Sequence, residues 1–271
     1  MKNIILKKLK EIEEEFQVKI LYAAESGSRA WGVHSKDSDY DVRFIYIHQP
    51  NYYLSIDPQG LGSKRDVIEL PSNESLDIKG WEITKALRLF RKSNPSLFEW
   101  LNSSIIYYQK YSFVNLIRAL ECEVFDPITM LTHYLNMAKR NYQKYLQGSE
   151  VRTKLYLYVL RPILACKWIV EYGKVPPIRF NELLDRIIPE SLLKLEINFL
   201  LRRKMSGEES DLQPSIQIIN TFLKEEINCL ELYVKTLSSE KRNPTEKLDD
   251  LYRNTLKEVW NYDFKKSKTS H

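Results

Sequence analysis

Asp39 and Asp41 stand two residues apart at the start of the run DYDVRFIYI. On a strand, residues at i and i+2 point to one face. Two carboxylates on one face make a site for a hard divalent cation, which takes oxygen ligands. Upstream, Gly27-Ser28 closes a mostly apolar stretch, KILYAA, and opens the short segment RAWG. A turn of this kind leading into a helix leaves backbone N–H groups without helical acceptors, and such groups suit phosphate. Gly27 gives the backbone room, and the Ser28 hydroxyl can bond a phosphate oxygen. Metal ligands beside a phosphate cradle suggest chemistry on a nucleotide. Each half has an ordinary reading as well: D-x-D is common in turns, and a serine opening a helix is often only a cap.

Nucleotidyl transfer commonly uses two divalent metals about 4 Å apart, held by three converging carboxylates. Asp77 is the expected third acid, because Leu76-Asp77-Ile78 reads as a strand with its aspartate on the face opposite its apolar neighbours. Asp66 and Glu69 are rivals that the sequence leaves open. A second basic set lies in VRTKLYLYVLRPIL, where Lys154, Tyr158 and Arg161 fall at i, i+4 and i+7 on one helical face. Lysine and arginine suit phosphate and tyrosine can stack on a base; the plain alternative is a solvated stripe with a half-buried tyrosine. Pro162 within that helix is expected to kink it. Arg29, Lys79 and Lys85 are further cations that could approach a pyrophosphate, whereas Trp81 reads as core.

These residues need elements to position them. Ile4, Ile5, Leu9, Ile12 and Phe16 give an amphipathic first helix, followed by a strand over 18–24 and a second over 39–48. In the second strand Val42, Phe44 and Tyr46 share one face, and Asp41, Arg43, Ile45 and Ile47 the other, so both faces are covered. Residues 49–75 read mostly as loop with a strand at 66–70; a brief strand at 76–78 stops at Gly80; an amphipathic helix runs from Ile83 to Ser93; Pro95 opens another; and 104–108 is a last strand. From Ser112 the pattern turns helical, with continuous segments expected over 155–172, 180–201, 216–237 and 246–260. The expected fold is therefore α/β (α+β): strands and helices together in a domain over residues 1–111, an all-helical bundle over 112–264, and a disordered tail over 265–271.

Bulk properties narrow the class. The net charge of +5, from 41 basic and 36 acidic residues, is compatible with a polyanionic ligand without requiring one. Cys122, Cys166 and Cys229 form no CxxC, and the four histidines show no zinc spacing, so neither a disulfide framework nor a zinc site is expected. No stretch approaches the ~20 apolar residues of a membrane span, and a cytoplasmic location is the expectation.

In combination the motifs are far more specific than apart. A strand, then Gly27, Ser28, Ala30 and Gly32, then Ser38, Asp39, Asp41 and Val42 on the next strand, resembles the signature of the DNA polymerase beta nucleotidyltransferase superfamily. Within it, GSRAWG, SDYDVRFIY, LDIKGWEITKAL, KSNPSLFEWL and KLYLYVLRPILACKWI resemble the RNA-repair-associated nucleotidyltransferases of bacteria and phages. The resemblance implies that residues 1–111 form a catalytic domain built on a mixed sheet flanked by helices, with two magnesium ions, or manganese as a substitute, on Asp39, Asp41 and Asp77. It implies the triphosphate of an ATP-like nucleotide on Gly27 and Ser28. By analogy with two-domain relatives, Lys154 and Tyr158 close over that nucleotide. The implied acceptor is an RNA end, with RNA-repair enzymes as partners. Alternatives are AMP transfer to a small molecule or a protein, or a non-catalytic module of the toxin–antitoxin type.

Overall fold

The structure, a computed structural model, describes residues 1–55, 66–71, 75–208, 212–238 and 243–262. The tail expected to be disordered lies outside the described residues.

The first half runs α1 (Lys2–Glu15), β1 (Lys19–Glu25), α2 (Gly27–Ala30), β2 (Tyr40–Ile47), α3 (Pro50–Tyr53), β3 (Val67–Glu69), β4 (Leu76–Glu82), α4 (Ile83–Arg91), α5 (Pro95–Leu101) and β5 (Ile106–Gln109). The strands form one mixed sheet in the order β3-β4-β2-β1-β5. Only the β2–β4 pair is parallel; β1–β2, β1–β5 and β3–β4 are antiparallel.

Alternation sorts the two faces as the sequence suggests. Val42, Phe44 and Tyr46 pack with Ile78 beneath Ile5, Leu9 and Ile12 of α1. Ile45 and Ile47 face the helices on the other side. Two boundaries that bear on the site differ from expectation. The second strand starts at Tyr40, so Asp39 sits on the loop that feeds it. β4 does not stop at Gly80 but continues to Glu82. Glycine is needed there because a Cβ would stand 2.2 Å from Cε2 of Phe44 across the ladder. The residue is thus a close-approach position within a strand rather than a break. Glu82 then caps α4, accepting the Thr84 N–H at 2.7 Å.

The second half runs α6 (Phe113–Ala119), α7 (Glu121–Val124), α8 (Pro127–Tyr145), β6 (Glu150–Arg152), α9 (Thr153–Tyr172), α10 (Phe180–Ile187), α11 (Leu192–Met205), β7 (Leu212–Pro214), α12 (Gln217–Thr236) and α13 (Thr245–Trp260). It is not wholly helical: β6 and β7 pair antiparallel. The helix expected over 180–201 is two, because Pro189 cannot continue the first and Ser191 caps the second through the Lys194 N–H. α8, α9 and α12 pack on one another, and α13 returns to lie on α4 and α6. The core of these helices is continuous with the Ile45 face of the sheet.

α9 carries Pro162 in its interior. The ring nitrogen has no hydrogen to give the carbonyl four residues back, that of Tyr158. Asn141 of α8 supplies the missing donor, its Nδ2 lying 2.9 Å from the Tyr158 carbonyl oxygen.

Among the described residues no helix is long and apolar enough to cross a membrane. The three cysteines are free.

Candidate active site

β1 and β2 run side by side, and Gly27 opens α2 directly after β1. Its φ of +59° is left-handed, a conformation natural to glycine. The side chain of Asp41 occupies the space beside it: a Cβ on Gly27 would lie 2.0 Å from Asp41 Oδ2. The turn and the carboxylate are therefore built against each other. The Ser26 N–H donates to the Asp41 carbonyl at 2.8 Å, and the Asp41 N–H donates to Glu25 Oε1 at 2.7 Å. Glu25 is buried and also accepts the Tyr107 hydroxyl.

The parallel register places Asp41 opposite Asp77 on one face. Between them stands Arg43, whose Nη2 lies 3.0 Å from Asp41 Oδ1 and 2.6 Å from Asp77 Oδ2. Its Nη1 also donates to the Asp77 carbonyl at 3.1 Å. Burial pushes the Asp41 carboxyl above the usual range; Asp77 and Asp39 add to this, and the Arg43 guanidinium opposes it. Asp39 is exposed on its loop. The rivals lie elsewhere: Glu69 pairs with Lys79 at 3.1 Å, and Asp66 stands 4.0 Å from Arg88.

A small cleft of about 120 Å³ opens over this centre. Gly27, Ser28, Asp39 and Asp41 line one wall, and Lys154, Tyr158 and Lys204 come from the helical half. Lys154 lies in the first turn of α9, where free N–H groups and the helix dipole add to its charge. Tyr158 meets Trp31 edge to face, with ring centroids 6.4 Å apart. Beyond this pair a second hollow of about 240 Å³ continues from Gly27 and Trp31 towards Glu99, Asn141 and Arg161.

Two residues expected on the nucleotide are engaged otherwise. Arg29 donates to the Ser38 carbonyl at 2.6 Å and to the Asp39 carbonyl at 3.1 Å, and its guanidinium lies 3.7 Å from the Tyr40 ring centre. It braces the loop that carries Asp39 and does not line the cleft. Arg161 is only 2% exposed. Its charge is met by Glu99 at 2.7 Å, which also accepts the Tyr134 hydroxyl at 2.9 Å. Helical spacing aligned Arg161 with Lys154 and Tyr158 but could not show that a carboxylate of α5 lies against it. Lys79 and Lys85 stand apart from the cleft, around another cavity.

Three contributors escaped the sequence reading. Arg43 lay on the aspartate face by alternation, but a lone basic residue in a strand carries no motif. Trp31 was visible only as part of GSRAWG. Lys204, 5% exposed at the end of α11, had no local signal, since LRRKM reads as an ordinary basic helix terminus.

The donor set fits a divalent cation at Asp39 and Asp41, which are hard oxygen ligands open to the cleft. Asp77 is in register with them but does not line the cleft, and Arg43 holds its carboxylate. Among the described residues, no group of three or more acidic, histidine or cysteine side chains is gathered closely enough to cage an ion.

A family model described as the RNA repair pathway DNA polymerase beta family matches residues 1–254. The chain belongs to this family. All the cleft residues named above fall within the family span. A curated relative, the uncharacterized protein YcgL of Bacillus subtilis (strain 168), is 50% identical over 260 residues, covering 96% of this chain and 98% of that one. A solved nucleotidyltransferase-like protein from Exiguobacterium sibiricum 255-15 overlaps loosely, with a TM-score of 0.30 and 11% identity over 92% of this chain and 78% of that one. Membership makes the chain a DNA polymerase beta-type nucleotidyltransferase by family, of the kind associated with RNA repair.

Proposed function

We propose that this chain moves a nucleoside monophosphate from a nucleoside triphosphate to a hydroxyl at an RNA end, and that it does so with magnesium, for which manganese can substitute. The observation that carries this reading is the single cleft in which Gly27, Ser28, Asp39 and Asp41 meet Lys154, Tyr158 and Lys204. Two carboxylates, a serine turn and two lysines within one cleft match a triphosphate with its counter-cations.

In this reading Asp39 and Asp41 hold the divalent ion, with Asp77 as the third ligand of a two-ion site. When bound, the metal supplies Lewis-acid stabilisation of charge on the phosphate oxygens. Ser28 and the first N–H groups of α2 hold the triphosphate, and Lys154 and Lys204 offset its negative charge. Tyr158 and Trp31 border the nucleoside. The acceptor oxygen attacks the α-phosphorus, the bond from that phosphorus to the bridging oxygen breaks, and pyrophosphate leaves with the bond electrons. The acceptor proton passes to Asp77 or to solvent. RNA-repair enzymes that trim or expose the RNA end are the fitting partners.

The test is incubation of α-labelled nucleoside triphosphates and magnesium with RNA carrying a free 3′-hydroxyl, alongside Asp39→Asn and Asp41→Asn. Label should enter RNA with the wild type, fall about 1,000-fold or more in either variant, and disappear reversibly with chelator. Label entering protein or a small hydroxylated molecule instead would reassign the acceptor. A wild type that binds no nucleoside triphosphate with magnesium, by calorimetry, would overturn the reading.

A further inference from the structure

Apart from the cleft over Asp41, a hollow of about 720 Å³ opens beside β4, bordered by Lys79, Trp81, Lys85, Glu69, Asn94 and Ser96. Its position follows from the sheet. Along the face that bears the aspartates, the parallel β2–β4 ladder sets three rows side by side: Asp41 with Asp77, Arg43 with Lys79, and Ile45 with Trp81. Successive rows on one face are about 6.6 Å apart. On β4 itself Asp77, Lys79 and Trp81 thus follow one another, and Lys79 and Trp81 line the cavity. Ser96 lines both this cavity and the hollow behind Trp31 and Tyr158, so the two regions adjoin.

The side chains are suited to a ligand. Trp81 is half-buried, with one face stacked on the buried Trp100 at a centroid distance of 3.7 Å. That backing holds the indole in place, and its accessible part lines the cavity. Lys79 is paired with Glu69. Lys85 lies in the first turn of α4, and among the described residues no carboxylate pairs with it. A fixed aromatic plate with lysines lining the same cavity is an arrangement by which proteins hold single-stranded nucleic acid, the base on the ring and the phosphates on the cations. A core tryptophan in an incidental hollow would need neither lysine.

We infer that this cavity is the acceptor site: it takes the terminal nucleotides of a single-stranded RNA, base on Trp81 and phosphates on Lys79 and Lys85, and directs the terminal hydroxyl along β4 to Asp77 and Asp41. This rests on the reading above for the reaction and adds where the acceptor lies and what recognises it. The contacts are to phosphate and ring faces, so recognition is tolerant of sequence and sensitive to salt.

The experiment is fluorescence anisotropy with a 5′-labelled single-stranded octaribonucleotide, together with calorimetry of a nucleoside triphosphate with manganese, on wild type, Lys85→Glu, Lys79→Ala and Trp81→Leu. Lys85→Glu changes a partly exposed helix position and keeps the test valid should Trp81→Leu disturb the fold. The expected result is RNA affinity lowered about tenfold or more by Lys85→Glu and by Trp81→Leu, with a shallower salt dependence for the lysine variants and triphosphate affinity unchanged. Unchanged RNA binding in Lys85→Glu and Trp81→Leu would overturn the inference. So would a wild type that binds triphosphate but no RNA, or a loss of triphosphate affinity in Lys85→Glu. A wild type that binds RNA through these residues but no triphosphate would leave the acceptor site standing and sink the proposed reaction.

Discussion

The α-carbon of Gly27 faces the carboxylate of Asp41 so closely that a methyl group on it would stand 2.0 Å from Oδ2. The turn proposed to hold phosphate and the proposed metal-ligand position are therefore one packing unit. Gly27→Ala should displace the Asp41 side chain and also force an alanine into a left-handed backbone, which alone costs about 1–2 kcal/mol. The expected outcome is a lower melting temperature together with loss of triphosphate binding by calorimetry. A folded Gly27→Ala protein that binds triphosphate like the wild type would show that the contact is dispensable.

Arg43 is the resident counter-charge of Asp41 and Asp77. Removing it as Arg43→Met leaves two carboxylates facing each other with no cation between them. Because the acids are partly exposed, the cost is about 1–2 kcal/mol rather than the larger penalty of a fully buried pair. A divalent ion offers the charge that arginine no longer provides. Magnesium should therefore raise the melting temperature of Arg43→Met by more than that of the wild type. Equal shifts in the two proteins would mean that Arg43 and the metal do not share these acids.

Asn141 and Pro162 form a compensating pair around the Tyr158 carbonyl. Asn141→Ala removes this donor from a solvent-accessible carbonyl and should cost about 0.5–1.5 kcal/mol in urea unfolding. Pro162→Ala returns a backbone N–H to the same oxygen. The double variant should then recover most of the loss, a coupling that a double-mutant cycle reads directly. Additive losses would exclude the pairing.

Glu82 supplies the pH dependence. Burial pushes its carboxyl upward, and the hydrogen bonds from Thr84 and Tyr53 only partly offset this. A carboxyl raised in the folded state contributes stability that is present below its unfolded value, about 4.3, and is lost as pH rises through the folded value. Glu82→Gln keeps an uncharged group at the cap and has no such loss. The stability of wild type relative to Glu82→Gln should accordingly fall as pH rises from about 4 towards neutrality. A difference independent of pH would contradict the burial argument.

The elements that carry the site were legible because each has a local cause. Alternation in VRFIYI gave both faces of β2, and the same logic gave Asp77 its side of β4. The glycine at 80 was misread because its reason is the Phe44 ring on the neighbouring strand, which no local pattern reveals. Arg161 illustrates the same limit: helical spacing fixed its face, while its partner Glu99 comes from a distant helix. Lys204 reaches the cleft only through the packing of α11, a tertiary fact with no sequence signature.

The parallel pairing of β2 with β4 has a consequence for how the site comes into being. Side chains alternate with a period of two, so a slip of one residue between these strands would remove Asp77 from beside Asp41 and turn Leu76 and Ile78 out of the core in the same movement. Assembly of the candidate site is thereby proofread by the hydrophobic effect. A chain that has mispaired its sheet cannot pass as a folded protein with a broken site, because the error that separates the acids also leaves an unburied core.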